Sequence, residues 1–184
     1  MHLFGREKEA TLDPRRHANG NDETIERIGG DIIGSERFDK ARTIPHHFDY
    51  DVAAHSIDAA QCALSICRLL ERCGISVDEA DCVRASLLHD LGMTEDEVFA
   101  SPAHEKAYTH PVEAARIARD EFDATDVQLD AIAHHMWPIG HITPHHLAGW
   151  VLVAADKVSS VRETGDFTAR AIKDRLRKVT GGNK

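Results

Sequence analysis

The sequence has no apolar run of membrane-spanning length, and its opening residues, MHLFGREKEATLDPRRH, contain no signal-peptide hydrophobic core. Both absences lead us to expect a cytoplasmic chain with no membrane partner. Cysteines number only four (Cys62, Cys67, Cys73 and Cys82), and no two form a C-x-x-C pair. They read as small buried hydrophobes in a reducing compartment, which argues against disulfides and against a thiolate zinc site. Positive charge is scarce as well: 22 Lys and Arg stand against 31 Asp and Glu, a net charge of -9. Nothing in such an overall field attracts phosphate backbones, so nucleic acid is not the expected partner. Strand-like alternation, internal repeats, a G-x-S-x-G elbow and a P-loop are all missing.

What the chain has in quantity is histidine: 13 residues, dispersed rather than contiguous as in a tag. That composition points toward metal. The 184 residues suffice for one sizeable hydrophobic core.

The apolar spacing is helical throughout. Residues 1–22 are polar and aperiodic and read as a flexible arm. ETIERIGGDIIG suits a short helix stopped by Gly29 and Gly30. Val52, Ala53, Ile57, Ala60, Ala63, Leu64, Cys67 and Leu70 recur at spacings of three and four, and Gly74 is placed to stop that helix. Ser76 with Glu79 reads as a capping box opening the next helix, which Gly92 would end just after His89 and Asp90. EDEVFASPAHEKAY reads as a loop or broken helix, with Thr109 capping a third helix and Pro111 in its first turn. A fourth helix starts near Asp126 and stops before Pro138; a fifth starts at Thr143-Pro144 and runs through HHLAGWVLVAADKVSSVRE. The expectation is an all-α, bundle-like domain over 23–165, between the arm 1–22 and a basic C-terminal helix and tail 166–184.

Each central helix carries a histidine or aspartate among apolar neighbours: His55, then His89 with Asp90, then His110, then His134 and His135, then Asp156. Any one of these alone reads as a satisfied core residue. As a set, left unpaired in a core, they would each cost several kcal/mol. One or two divalent ions remove that cost, and imidazole with carboxylate suits Fe, Mn, Zn, Co or Ni.

The order His55, His89-Asp90, Asp156 resembles the H…HD…D signature of HD-domain metal-dependent phosphohydrolases, over roughly Asp49 to Glu163. LLHDLG and AADK are the sharpest matches. THPVEAARIA and AHHMWP are similar to the added histidine motifs of the two-metal branch, which includes the HD-GYP cyclic dinucleotide phosphodiesterases. HHMWP followed by GWVLVAADKVSSVRE resembles small stand-alone bacterial HD proteins more closely. The resemblance implies an HD-domain helical bundle in which His55, His89, Asp90 and Asp156 hold a first metal. Asp90 bridges to a second, held by His110 and one or both of His134 and His135. Asp90 and Lys157 are the expected catalytic residues; Lys157 follows Asp156 directly and either contacts phosphate or, since neighbouring helical residues point about 100° apart, faces away. In that family two metals lower the pKa of a water between them and clamp the phosphate oxygens.

Met93 stands where the HD-GYP enzymes have a phosphate-contacting lysine, and the GYP triplet is absent; both argue against cyclic dinucleotides. Asp51, one turn before His55, either reaches the site or is a solvated helix-start residue. His46 and His47 can line the pocket mouth. Trp137 either stacks on a substrate base or packs behind the site. His2, His17, His104, His141, His145 and His146 read as surface residues. The expected function is a phosphomonoesterase or phosphodiesterase acting on a small phosphorylated substrate, of about mononucleotide size. The same ligands also serve an HD-type diiron oxygenase, and a non-catalytic module that binds metal or nucleotide is a third reading. A homo-oligomer is compatible with all three.

Overall fold

Helical periodicity governs the whole described chain. The structure, a computed structural model, describes residues 21–46 and 50–180, with side chains at all of these except 97, 171 and 174–180. Most of the expected arm, and with it His2, His17 and also His47, lies outside the described residues. Among those described there is no strand, only an isolated bridge between Pro45 and Asp51. The elements are α1 (Asp22–Ile33), α2 (Glu36–Ala41), α3 (Val52–Arg72), α4 (Glu79–Leu88), a 3-10 turn (Leu91–Thr94), α5 (Asp96–Ala100), α6 (Ala103–Phe122), α7 (Asp126–His134) and α8 (Leu147–Thr180). The all-α expectation holds, and no helix among the described residues is long and apolar enough to cross a membrane.

Helix boundaries follow the capping chemistry, with several departures from expectation. Asp51 caps α3, its Oδ1 accepting from the Ala54 amide at 2.7 Å, so its role is at the helix start. Asp78 rather than Ser76 opens α4: its Oδ1 accepts from the backbone N–H groups of Ala80 (2.7 Å) and Asp81 (3.1 Å), so one side chain satisfies two donors. Thr125 and Gln128 form the capping box that starts α7. α1 is not stopped by its glycines. It passes through Gly29 with a kink at φ -129°, where a Cβ would lie 2.2 Å from Leu87 Cδ1. α6 starts at Ala103, not Thr109, and carries Pro111 in its interior. The run AHEKAY is made of residues with adequate helix propensity, enough to extend it upstream of the proline. α8 starts at Leu147 and runs without a break across 165/166, where a boundary was expected.

The core forms around α3, which packs on α4 and α8, with α6 and α7 closing the other side. Leu64, Leu87, Leu88, Ile117, Ile132 and Leu152 are fully buried, each contributing roughly 1.5–3 kcal/mol. Cys67 and Cys82 are buried in a smaller cluster with Ala63, Val151 and Ala155, as expected, whereas Cys73 is exposed.

Gly92 does not end α4, which stops at Leu88. It lies in the 3-10 turn, and a Cβ there would meet the His110 carbonyl oxygen at 2.1 Å and the Ala114 amide nitrogen at 2.8 Å. The absence of a side chain lets this turn press directly on the α6 backbone, beside two of the residues of interest. Gly92→Ala is therefore expected to cost about 3 kcal/mol, lowering the melting temperature by roughly 6–12 °C. Gly165→Ala, with open space around its Cβ, should not lower it in the same calorimetric scan.

Candidate metal centre

Five elements meet at the carboxylate of Asp90, which is 4% exposed. α3 brings His55 from its first turn, the end of α4 brings His89, and α6 brings His110. His135 stands at the C-terminal end of α7, and α8 brings Asp156. Asp90 Oδ1 lies 3.3 Å from His110 Nε2 and 3.6 Å from His135 Nε2. Its Oδ2 lies 3.3 Å from His89 Nε2 and 3.8 Å from His55 Nε2. One carboxylate oxygen thus faces each half of the cluster.

The imidazole tautomers follow from the far side of each ring. His89, His110 and His135 donate Nδ1–H to the carbonyls of Ser86 (2.8 Å), Lys106 (2.5 Å) and Ile132 (2.7 Å), three or four residues earlier in the chain. A carbonyl oxygen only accepts, so Nδ1 carries a hydrogen, and Nε2 is the atom each ring turns toward the cluster. His89 and His135 cap their helix ends, where carbonyls lack a helical partner. The same bond that satisfies the helix end aims the ring.

The inward Nε2 atoms are crowded on one another and on one carboxylate, and one of them has no hydrogen bond. His89 Nε2 is buried and makes no hydrogen bond among the described residues. His110 Nε2 and His135 Nε2 face one another at 3.0 Å, a distance two lone pairs tolerate only with a cation or proton between them. Orphaned imidazole acceptors and carboxylates around one point are a donor set that fits a divalent transition-metal ion. His55, His89 and Asp156 form one compact trio, and His89, Asp90 and His135 another.

Two further residues belong to the cluster. Glu163 is fully buried and its Oε1 accepts from His55 Nδ1 at 2.8 Å. It lies two helical turns after Asp156, on the same face of α8, and that spacing was the available signal. His46 enters more deeply than a pocket-mouth residue: its Nε2 is 3.1 Å from Asp90 Oδ2 and its ring stacks on His55 at 4.1 Å.

Burial alone would raise the Asp90 carboxyl, but the imidazoles of His89, His110, His135 and His46 hold it well below the usual carboxylate range. Asp156 is held low against burial chiefly by its hydrogen bond to His55. Glu163 is likewise lowered to about 2, against burial, by His46 and His55. Burial pushes His135 down to about 4, with the neighbouring His89 and His110 opposing a further charge. In the metal-free protein His55 is raised to about 10: burial opposes its charge, and its hydrogen bonds to Asp156 (3.2 Å) and Glu163 outweigh burial.

Of the residues expected at the site, His55, His89, Asp90, His110, His135 and Asp156 come together. His134 does not. Its Nδ1 donates to Asp130 Oδ1 at 2.9 Å, an oxygen shared with His145 Nδ1 at 2.7 Å. Asp130 Oδ2 accepts the backbone N–H groups of His145 and His146 at 2.9 and 3.1 Å. That group ties α7 to the entry of α8 and has both carboxylate oxygens engaged. Neighbouring helical residues point about 100° apart, which turns His134 outward when His135 turns inward. Lys157 does face the site: Nζ lies 2.6 Å from Asp156 Oδ2. Beside the cluster is a cavity of about 360 Å³ whose walls include Pro45, His46, Met93, Lys106, Met136 and Lys157. Trp137 is not among its walls. It packs edge-on against Trp150, ring centroids 5.0 Å apart.

A family model described as HD domain matches residues 52–161. No curated protein and no solved structure matches the chain. The matched span contains the six converging residues and excludes His46 and Glu163.

Two outcomes are expected. His55 holds its extra proton in the folded, metal-free state, so that contribution to stability is complete below the ordinary value near 6.5 and is lost as pH rises toward about 10. A metal needs the Nε2 lone pair, so its uptake at pH 7–8 should release about one proton, measurable by calorimetry in buffers of different ionisation enthalpy. Glu163→Gln should weaken metal affinity roughly 10–100-fold by loosening His55, whereas Asp130→Asn should leave this site's affinity unchanged in the same titration.

Proposed function

The chain belongs to the HD-domain family, and from that premise we propose that it is a metal-dependent phosphohydrolase acting on a small phosphoester through a water molecule. The observation that carries this reading is the presence, in one cavity, of the metal-type donor set and the ammonium of Lys157, 2.6 Å from Asp156. The donor set alone serves several chemistries. A cation beside it suits an oxyanion.

Bound divalent ions supply an acidified water and a clamp on the phosphoryl oxygens. The chain supplies the rest. Asp90 offers one oxygen to each half of the cluster and so fits the bridging position that the family resemblance implies. Lys157 stabilises charge that grows on the phosphoryl oxygens as the water oxygen bonds to phosphorus and the leaving oxygen departs. His46 lines the cavity with its Nε2 3.1 Å from Asp90 Oδ2 and is the imidazole positioned to hold a proton at the cavity wall, taken from the water or given to the leaving oxygen. Glu163 orients His55 and keeps its Nδ1 protonated.

The cavity, at about 360 Å³, lies toward the small end of ligand sites, which run from roughly 300 to 1,000 Å³. It supports a substrate of mononucleotide size rather than a polymer. Pro45, Met93 and Met136 give apolar wall for the part that is not phosphate. Met93 puts a thioether where HD-GYP enzymes place a lysine, which favours substrates other than cyclic dinucleotides.

The test is turnover of mononucleotides, aryl phosphates and cyclic dinucleotides by protein loaded with iron, manganese or zinc. Wild type should hydrolyse members of the first two classes and Asp90→Ala none. Lys157→Ala should lose roughly 10²–10³ in kcat. Turnover confined to cyclic dinucleotides overturns the substrate class. Failure on every phosphoester, with oxygen consumed by the iron form, replaces the reading with the diiron oxygenase.

A further inference from the structure

Lys106 takes no part in the reaction just derived, yet it lines the same cavity. It sits on α6 one turn before His110, and its own carbonyl holds His110 Nδ1 at 2.5 Å, so its backbone is part of the metal scaffold. Its Nζ lies over the Phe99 ring, 4.9 Å from the centroid. That cation–π contact keeps the ammonium at the wall rather than extended into water.

No carboxylate among the described residues pairs with Lys106, in a chain where acidic residues outnumber basic ones 31 to 22. The other lysine of the cavity, Lys157, is already paired with Asp156. A single phosphoryl group, seated on the metal donors and beside Lys157, leaves the charge of Lys106 without a counterpart. Lys106 is displaced from His110 by about 6 Å along the helix, so its counterpart lies farther along the occupant than the reacting phosphorus.

We infer that Lys106 forms a second anion subsite, and that the substrate is a small phosphoester bearing a second anionic group, phosphate or carboxylate, roughly one helical turn from the phosphoryl group that is cleaved. This rests on the phosphohydrolase reading for which group sits at the metal. The ammonium of Lys106 then supplies, from α6, a cation in a cavity whose wall has a methionine at position 93. It also draws small polyanions into a cavity whose surrounding protein is acidic overall.

Calorimetric titration of the metal-loaded full chain with phosphate, pyrophosphate and a carboxylate-bearing phosphoester, phosphoserine, tests this directly. Wild type should bind the probes with two anionic groups more tightly than phosphate. Lys106→Met should weaken those probes roughly tenfold or more, the scale of a charge-assisted hydrogen bond, and phosphate by less than about twofold. Lys106→Arg should retain the preference, and a thermal melt of each variant should match wild type. The inference is overturned if the preference survives in Lys106→Met, since the metals alone then explain it. An equal loss for phosphate overturns it too, since Lys106 then belongs to the first subsite. Hydrolysis of p-nitrophenyl phosphate by wild type reports separately on the parent reading. Without that activity, a preference that disappears in Lys106→Met leaves the anion subsite standing and removes the phosphohydrolase. With it, a preference that survives removes the subsite alone.

Discussion

A carboxylate buried in a helical core needs compensation, and that of Asp90 draws it from four imidazoles. Isolated, such a charge would be driven toward its neutral form. Here the surrounding rings hold it ionised. Those rings come from the loop before α3, from the end of α4, from α6 and from the end of α7, so the position of one side chain constrains how those elements pack. The Gly92 turn is part of the same constraint. It brings the segment carrying Asp90 against the backbone of His110 at a distance that excludes a side chain.

Helix ends do two jobs in this arrangement. A helix leaves its last carbonyls without partners, and His89 and His135 supply them from Nδ1. That bond puts a hydrogen on Nδ1 and leaves Nε2 as the atom turned toward the cluster. The stability of a helix end and the ability to hold a metal are therefore the same hydrogen bond viewed from two sides. His55 differs, because its Nδ1 meets the Glu163 carboxylate instead. Lacking metal it is the ring that keeps an extra proton, whereas His135, with no carboxylate behind it and two rings beside it, stays neutral.

Charge is organised against the average of the chain. The protein is acidic overall, but the cavity wall carries Lys106 and Lys157 beside donors suited to divalent cations. Its apolar walls restrict what accompanies an anion. Specificity in such a site comes from the spacing of the cations and the shape between them, and neither is visible in net charge.

Much was legible before the fold was known. Apolar spacing marked the helices, because periodicity is a local property of the chain. The chemistry of the residues set among those apolar runs pointed to metal, because buried imidazole and carboxylate need it or one another. Boundaries were less legible: Asp78 outcompeted Ser76 as a cap, and α6 ran through Pro111. His46 and Glu163 were not assigned to the cluster, since a loop residue and a helical glutamate carry no local sign of a common partner. Which of His134 and His135 turns inward also depended on where α7 ends and what it packs against. The sequence by itself determined the helical class, the donor types and their order. Only the tertiary structure decided which donors meet, because a side chain's direction is set by its helix locally, while its neighbours are set by the packing of helices far apart in the chain.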